Sequence, residues 1–316
     1  MNKLPRVEIL KDRAAQLRAV RSFFHERNVT EVDCPLLNHC PPLDTHIAVV
    51  PARFAGTETC YLHTSPEYGM KRLLAEGIGD IYQLSHVFRD AEVGQRHNPE
   101  FMMLEWYRVG WSLEQLQDEV ADNVRLFLGD LPCERLSYRN AFLKYAGVDL
   151  RAACSADLKD VLAQNGIEGS LVDDTTTRDD LLNLIMGVVI EPHLGKDTIT
   201  MIVDYPASQA ELAQTRTVDG EVVAGRFECY VEGIELANGY HELLDAKEQR
   251  RRFENRNLGL IANGRDPRPI DEHFLAALEL GIPECSGVAV GFDRLMMLRH
   301  GGGRIADVIP FHWPLA

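Results

Sequence analysis

Apolar residues recur at helical spacing near the start of the chain: Leu10, Ala14, Leu17, Val20 and Phe24, with Arg and Lys between them. That period predicts an amphipathic helix over residues 6–28. It stops at Arg27-Asn28, because Asn tolerates the left-handed conformation that ends helices. A short strand, Val29–Val32, then runs into Pro35, which a central ladder does not accept. Over 80–111 the period drops to two. Asp80–Arg89 sets Gln83, Ser85 and Arg89 on one face and Tyr82, Leu84 and Phe88 on the other, and Phe101–Trp111 brings Glu105 and Tyr107 together. Between these strands lies an eleven-residue polar loop, Asp90 to Glu100, with Gly94 and Pro99. Ordered loops of that length are often functional.

From 133 to 200 the texture is helical, with helices predicted over Ser155–Gln164 and Arg178–Ile190 and a Gly-rich joint at 166–169. No linker isolates this stretch, so it reads as an elaboration of a single domain over 1–316. Strand character returns at 226–240, with a turn at Glu232-Gly233. Asp245 and Glu248 have capping-box spacing and start a helix to about 263. Gly287–Phe292 is an apolar strand, and Asp293–His300 a helix closed by Gly301. There is no internal repeat. The order predicts an α+β fold, an antiparallel sheet flanked by helices.

Composition narrows the function. The 316 residues are 45% hydrophobic and 26% charged, with a net charge of −15. A chain this long buries roughly 75% of its unfolded surface, so a sizeable core is no obstacle. Proteins that hold long nucleic acids rely on Lys and Arg to displace counterions, and a broadly basic protein is excluded. Seven cysteines, an odd number without a C-x-x-C pair, read as reduced thiols. The first residues carry no secretory apolar run. The most apolar stretch, Leu181 to Ile190, is about half a membrane span. A cytoplasmic protein with no membrane partner is expected.

Phosphate loops, H-E-x-x-H and G-x-S-x-G are all missing from the sequence. Gly301-Gly302-Gly303 follows a helix and reads as a cap and turn. Three segments remain. Val87-Phe88-Arg89 leads into the loop through His97-Asn98-Pro99-Glu100-Phe101, and an arginine there offers a planar fork to a phosphate. Alone, it reads rather as a surface ion pair with Asp90 or Glu92. In the second, a two-residue turn at Glu232-Gly233 pairs Tyr230 with Glu235 and Glu228 with Ala237. Glu228 and Glu235 then share a face, where two like charges repel unless a cation lies between them, and hard oxygens suit Mg2+. A solvated sheet face is the plainer alternative. The third is Gly287-Val288-Ala289-Val290-Gly291-Phe292-Asp293-Arg294-Leu295, whose glycines let a flat ligand approach or simply pack strand on helix.

Taken together, Phe88-Arg89 with Glu92, and Gly291-Phe292-Asp293-Arg294-Leu295, resemble motifs 2 and 3 of the class II aminoacyl-tRNA synthetases. Phe24 to Pro35 is similar to their motif 1, which forms a dimer interface in that family. His97-Asn98-Pro99-Glu100-Phe101 and Thr64-Ser65-Pro66-Glu67 resemble the lysyl members. The likeness covers almost the whole chain. Motif 1 begins about two dozen residues in, so no N-terminal anticodon-binding domain is expected. With the acidic balance, the chain resembles shortened paralogues that activate (R)-β-lysine and attach it to a lysine side chain of elongation factor P. Ala289 agrees, since those paralogues have Ala where the synthetases have Gly. No tRNA partner is expected.

The resemblance implies a homodimer that uses ATP and Mg2+. It assigns Arg89 to the α-phosphate, Asp90, Ala91 and Asn98 to the nucleotide side, and Arg294 and Gly291 to the adenine and γ-phosphate. Glu228 and Glu235 become metal candidates, and Leu236 flanks the nucleotide. Ser65, Pro66 and Glu67 fall near the amino end of the amino acid, with Ala289 reshaping the pocket. Tyr107 and Glu242 receive the distal ammonium, supported by Glu105 and Asn238. Arg89, Arg294 and Glu235 carry the catalytic expectation. The synthetases have Glu where this chain has Ala91, followed by Glu92. Arg250-Arg251-Arg252 reads as an ion-paired helix face, or as a patch for a protein partner or for distal phosphates. Two alternatives remain: a truncated lysyl-tRNA synthetase, and a silent paralogue that only binds amino acid or nucleotide.

Overall fold

The computed structural model describes residues 4–43, 47–167, 172–173 and 176–316; part of the Gly-rich joint at 166–169 lies outside them. The chain packs as two compact units, residues 1–129 with 242–316, and residues 130–241.

The first unit opens with helix α1 (Arg6–His25). Asn28 has φ 56°, and Val29 N–H bonds Phe24 O at 3.0 Å, the left-handed stop that the sequence predicts. There follow β1 (Thr30–Glu31), β2 (Leu37–Asn38), β3 (Val50–Phe54), β4 (Glu58–Leu62), α2 (Glu67–Ala75), β5 (Ile81–Phe88), β6 (Glu100–Val109) and α3 (Leu113–Leu128). The predicted strand over 29–32 shortens to two ladder residues. Helix α3 starts at a capping box made by Ser112 and Gln115.

The second unit contains β7 (Cys133–Ser137), α4 (Tyr138–Ala141), α5 (Ser155–Gln164), α6 (Arg178–Ile185), β8 (Ile199–Pro206), β9 (Thr215–Val218), β10 (Glu221–Val231) and β11 (Ile234–His241). Helix α6 continues as a π-helical turn over Met186–Ile190, which completes the helical stretch predicted to 190. The strands run in the order β11-β10-β8-β7, with β9 on β10; only β7 with β8 is parallel. Tyr138, Phe142, Leu162, Ile185 and Tyr205 pack in its core. The predicted helical elaboration is thus one layer of a unit with its own strands.

The chain then returns to the first unit with α7 (Ala246–Ala262), α8 (Glu272–Leu280), β12 (Cys285–Gly291) and α9 (Phe292–Arg299). The sheet there runs β1-β5-β6-β12, antiparallel except for β1 with β5, beside a small antiparallel sheet β2-β4-β3. Phe24 of α1 stacks on Tyr82 at 4.4 Å and meets Trp106 edge-on at 5.2 Å, pinning the helix to the sheet. Asp293 is buried, paired with Arg13 of α1 and accepting from Met102 N–H at 2.8 Å. It fixes α9, and hence Arg294, against β6. Asp245 caps α7 through Lys247 N–H and Glu248 N–H, but the Glu248 carboxylate goes to Arg251 and Arg252, so the box predicted there is only half made. Arg250 pairs with Glu272, and the basic run is an ion-paired face.

Candidate active site

In the first unit the predicted amino acid residues meet in one hydrogen-bonded network. Register places Ala289 of β12 opposite Glu105 of β6, with Gln83 of β5 on the other side of Glu105. Ser65 Oγ donates to Glu105 Oε2 at 2.7 Å and accepts from Glu67 N–H at 3.0 Å. Tyr107 OH donates to Glu105 Oε1 at 2.7 Å. Pro66 is the N-cap of α2, so Glu67 sits in the first turn, where the helix dipole favours a carboxylate. The Glu242 carboxylate accepts from Gly287 N–H.

Lys71, one turn along α2, joins the halves. Its Nζ lies 2.6 Å from Glu67 Oε1 and 2.6 Å from Glu242 Oε2, and the side chain is 1% exposed. Sequence reasoning missed it. The available signal was the i, i+4 spacing from Glu67 to Lys71, which on most helices marks a solvated pair.

Electrostatics follow from burial. Desolvation, then the charge of Glu67, pushes the Glu105 carboxyl up to about 8 against its donors Ser65 and Tyr107. Desolvation pushes Glu242 up to about 7, opposed first by Lys71. Burial works against the Lys71 charge, yet Glu242 and Glu67 raise its pKa above the usual lysine value. Tyr107 is raised by burial and then by Glu105, so it remains a donor.

Gly287 is a second residue whose role differs from expectation. A Cβ there would lie 2.3 Å from the Tyr107 ring and 2.5 Å from Glu242 Oε1. The missing side chain makes room for the protein's own tyrosine and carboxylate, not for a flat ligand. At Gly291 the nearest atoms are of the Arg294 side chain at 3.5 Å, which leaves the close approach open there.

The predicted nucleotide residues of this unit sit on the β5–β6 loop and α9. Arg89 N–H bonds Pro99 O at 2.9 Å, and its guanidinium lies 5.2 Å over the Phe101 ring and 3.8 Å from Glu92. Its Nε is buried with no partner among the described residues, a donor left for an anion. Asp90 Oδ1 accepts from Ala91 N–H at 2.9 Å, and Ala91 takes φ 60°. Arg294 Nη2 lies 2.9 Å from His97 Nε2; burial, then Arg294, lowers the His97 pKa, so the ring accepts. Asn98 is committed to backbone: Nδ2 donates to Glu100 O at 2.7 Å and Oδ1 accepts from Trp313 N–H at 2.9 Å. It braces the loop.

The second unit contains Glu228, Glu235, Leu236 and Asn238. The turn has φ 51° at Glu232 and 68° at Gly233, and Tyr230 pairs with Glu235 as predicted. A bulge at Leu236 then moves the register, so Glu228 faces Asn238 and not Ala237. Glu228 and Glu235 still share a face, but Glu228 is occupied: Arg226 pairs with Oε1 at 2.5 Å, and Tyr205 and Tyr230 donate to Oε2. Glu235 is half-buried on that face. Leu236 is buried. Asn238 Nδ2 donates to Tyr240 OH at 3.1 Å, and its Oδ1 is buried without a partner among the described residues.

All seven cysteines are free thiols. Among the described residues no helix is long and apolar enough to cross a membrane.

The family of class II tRNA synthetases for D, K and N matches residues 4–313. The elongation factor P–(R)-β-lysine ligases of Salmonella arizonae and Salmonella typhi are each 46% identical over 307 residues, 96% of this chain and 94% of theirs. That of Salmonella dublin is 45% identical over the same span. With the motifs seated on the sheet and loop described above, the chain belongs to the class II tRNA synthetase family.

Proposed function

We propose that the protein activates (R)-β-lysine with ATP and transfers it to a lysine side chain of elongation factor P. The observation that carries this reading is the acidic set of buried Glu105 and Glu242 with half-buried Glu67, a pocket for an amino acid bearing ammonium groups. Relatives 45–46% identical over nearly their whole length, named as ligases of that amino acid and factor, support it.

In the first step a carboxylate oxygen of the amino acid attacks the α-phosphorus of ATP. A P–O bond forms and pyrophosphate leaves. The nucleophile is already ionised, so no general base is needed, and the work is positioning and charge stabilisation. Arg89 is assigned to the α-phosphate, Arg294 and Gly291 to the far end of the nucleotide, and Asp90 and Ala91 to its loop side, with Glu92 in place of the glutamate missing at Ala91. Ser65, Pro66, Glu67 and Ala289 shape the amino end, and Tyr107 and Glu242 take the distal ammonium over Glu105. By motif resemblance, Glu235 and Leu236 serve the nucleotide and Asn238 the amino acid. Mg2+ bound with ATP would neutralise phosphate charge; by motif resemblance Glu228 and Glu235 are its candidate ligands, and Glu228 could join only by exchanging its present partners. In the second step the neutral amine of the acceptor lysine attacks the adenylate carbonyl, forming an amide and releasing AMP. We also propose a cytoplasmic homodimer paired through the motif 1 region.

The test mixes the protein with ATP, (R)-β-lysine and elongation factor P and reads the factor's mass. One added lysyl group is expected. An unchanged factor together with efficient tRNA charging would establish the truncated-synthetase alternative instead. A lack of pyrophosphate exchange with either lysine isomer would leave the silent binder.

A further inference from the structure

Lys71 is the strongest unassigned feature of the first unit. It lies between Glu67 and Glu242, with the rings of Tyr107 and Phe274 at 6.0 and 5.8 Å. An i, i+4 Glu–Lys pair on a helix surface is worth a few tenths of a kcal/mol. Here the lysine is buried and Glu67 is only 13% exposed, and an unmatched charge on a buried lysine is costly. Glu105 is tied to the same network through Ser65.

Counting charge gives the pocket a capacity. Glu67, Glu105 and Glu242 are three carboxylates, and Lys71 is one fixed ammonium. Fully ionised, the set has two negative charges left. An amino acid with two ammonium groups, whose own carboxylate is turned to the phosphate, satisfies both. One ammonium leaves a charge over, and three exceed the capacity.

We propose that Lys71 is a positioning residue that sets the pocket's charge capacity at two, holding Glu67 and Glu242 in place for the two ammonium groups of the substrate. This rests on the reading that the substrate is a diamino acid. The groups facing Lys71 from neighbouring elements are Glu67 on its own helix, Tyr107 and Glu105 on β6, and Glu242 before α7; the Tyr68 hydroxyl and the Cys285 thiol also feel its charge, and burial keeps both protonated.

The experiment compares Lys71→Met, which keeps the stem and removes the charge, with Glu67→Gln and with the double variant. Pyrophosphate exchange gives KM for (R)-β-lysine and kcat separately. Lys71→Met should raise KM about 100-fold, with kcat at saturation changing far less. The double variant again has two uncompensated charges, so it should bind no worse than Lys71→Met alone. Additive losses in the cycle would overturn the proposal, as would an unchanged KM for Lys71→Met. Should Lys71→Met fail to fold, the wild-type protein decides. Titration calorimetry with (R)-β-lysine at pH 7, in buffers of different ionisation heat, should show release of about one proton as the carboxylates ionise to meet the ammonium groups. A β-amino acid of the same length with a single ammonium group that bound as tightly as (R)-β-lysine would overturn the charge count. Wild-type protein that fails to exchange at all with (R)-β-lysine would instead refute the proposed function, which keeps the two failures apart.

Discussion

Glu242 and Glu228 are both buried glutamates on functional motifs, yet their partners differ in kind. Glu242 is held by the Lys71 ammonium and the Gly287 amide, in a network completed by Ser65 and Tyr107 hydroxyls. Glu228 is held by the Arg226 guanidinium and two tyrosine hydroxyls. An arginine fork is always charged and geometrically fixed, and it commits a carboxylate. A lysine is a point charge that leaves lone pairs on the acids around it. The first arrangement can accept further ammonium groups, and the second is already complete. Residue type alone does not separate the two glutamates, whereas their partners do.

The sharpest way to break this comparison is to neutralise each acid in turn. Glu242→Gln strands part of the Lys71 charge and removes the proposed ammonium receptor, so KM for (R)-β-lysine should rise about 100- to 1000-fold in pyrophosphate exchange. Glu228→Gln strands Arg226, and its main signature should be a melting temperature lowered by several degrees. If both variants changed only the melting temperature, the distinction would collapse. Next in size is Arg89→Lys, which replaces a planar fork over Phe101 with a point charge. Exchange kcat should fall about 100-fold, with the amino acid KM nearly unchanged.

The acids of the pocket also predict a pH dependence. Glu105 and Glu242 are pushed above the ordinary value of 4.5, so the folded state holds protons that the unfolded chain has released. Stability of the empty protein therefore falls as pH rises from about 4.5 toward about 8. Ammonium binding needs the ionised carboxylates, so affinity moves the other way. Between pH 6.5 and 8, KM for (R)-β-lysine should fall about tenfold, and the melting-temperature gain from ligand should widen. A flat KM over that range would mean the carboxylates are ionised before the substrate arrives.

Much of this was legible in the sequence, and the reasons are local. The Asn28 stop, the Glu232-Gly233 turn and helix α5 follow from short-range chemistry, and all lie where periodicity sets them. The bulge at Leu236 was not legible, because it is set by how β11 pairs with β10 and not by the residues of one strand. Lys71 stayed hidden for a related reason. Met70-Lys71-Arg72 reads as an ordinary helix surface, and only the arrival of Glu242 from far along the chain makes that lysine internal. The site's outline was local information, while its charge balance came from long-range packing.

The smallest effect separates two glycines that the sequence presents as equals. Gly287 and Gly291 bracket the same strand and carry the same two readings, close approach to a ligand or tight packing. At Gly287 an added methyl meets the Tyr107 ring at 2.3 Å, within a core that cannot open without displacing Tyr107 or Glu242. Gly287→Ala should cost about 1–3 kcal/mol, read as a lower midpoint in urea, and should weaken amino acid binding as Tyr107 moves. At Gly291 the added methyl meets only the Arg294 stem at 3.5 Å, ordinary contact. Gly291→Ala should leave the urea midpoint near wild type and raise KM for ATP instead. If Gly291→Ala destabilised the fold as much as Gly287→Ala, both glycines would be packing residues and the nucleotide assignment at Gly291 would lose its support. If Gly287→Ala were neutral, Tyr107 would have room to move, and the rigid pocket on which the charge count depends would not exist.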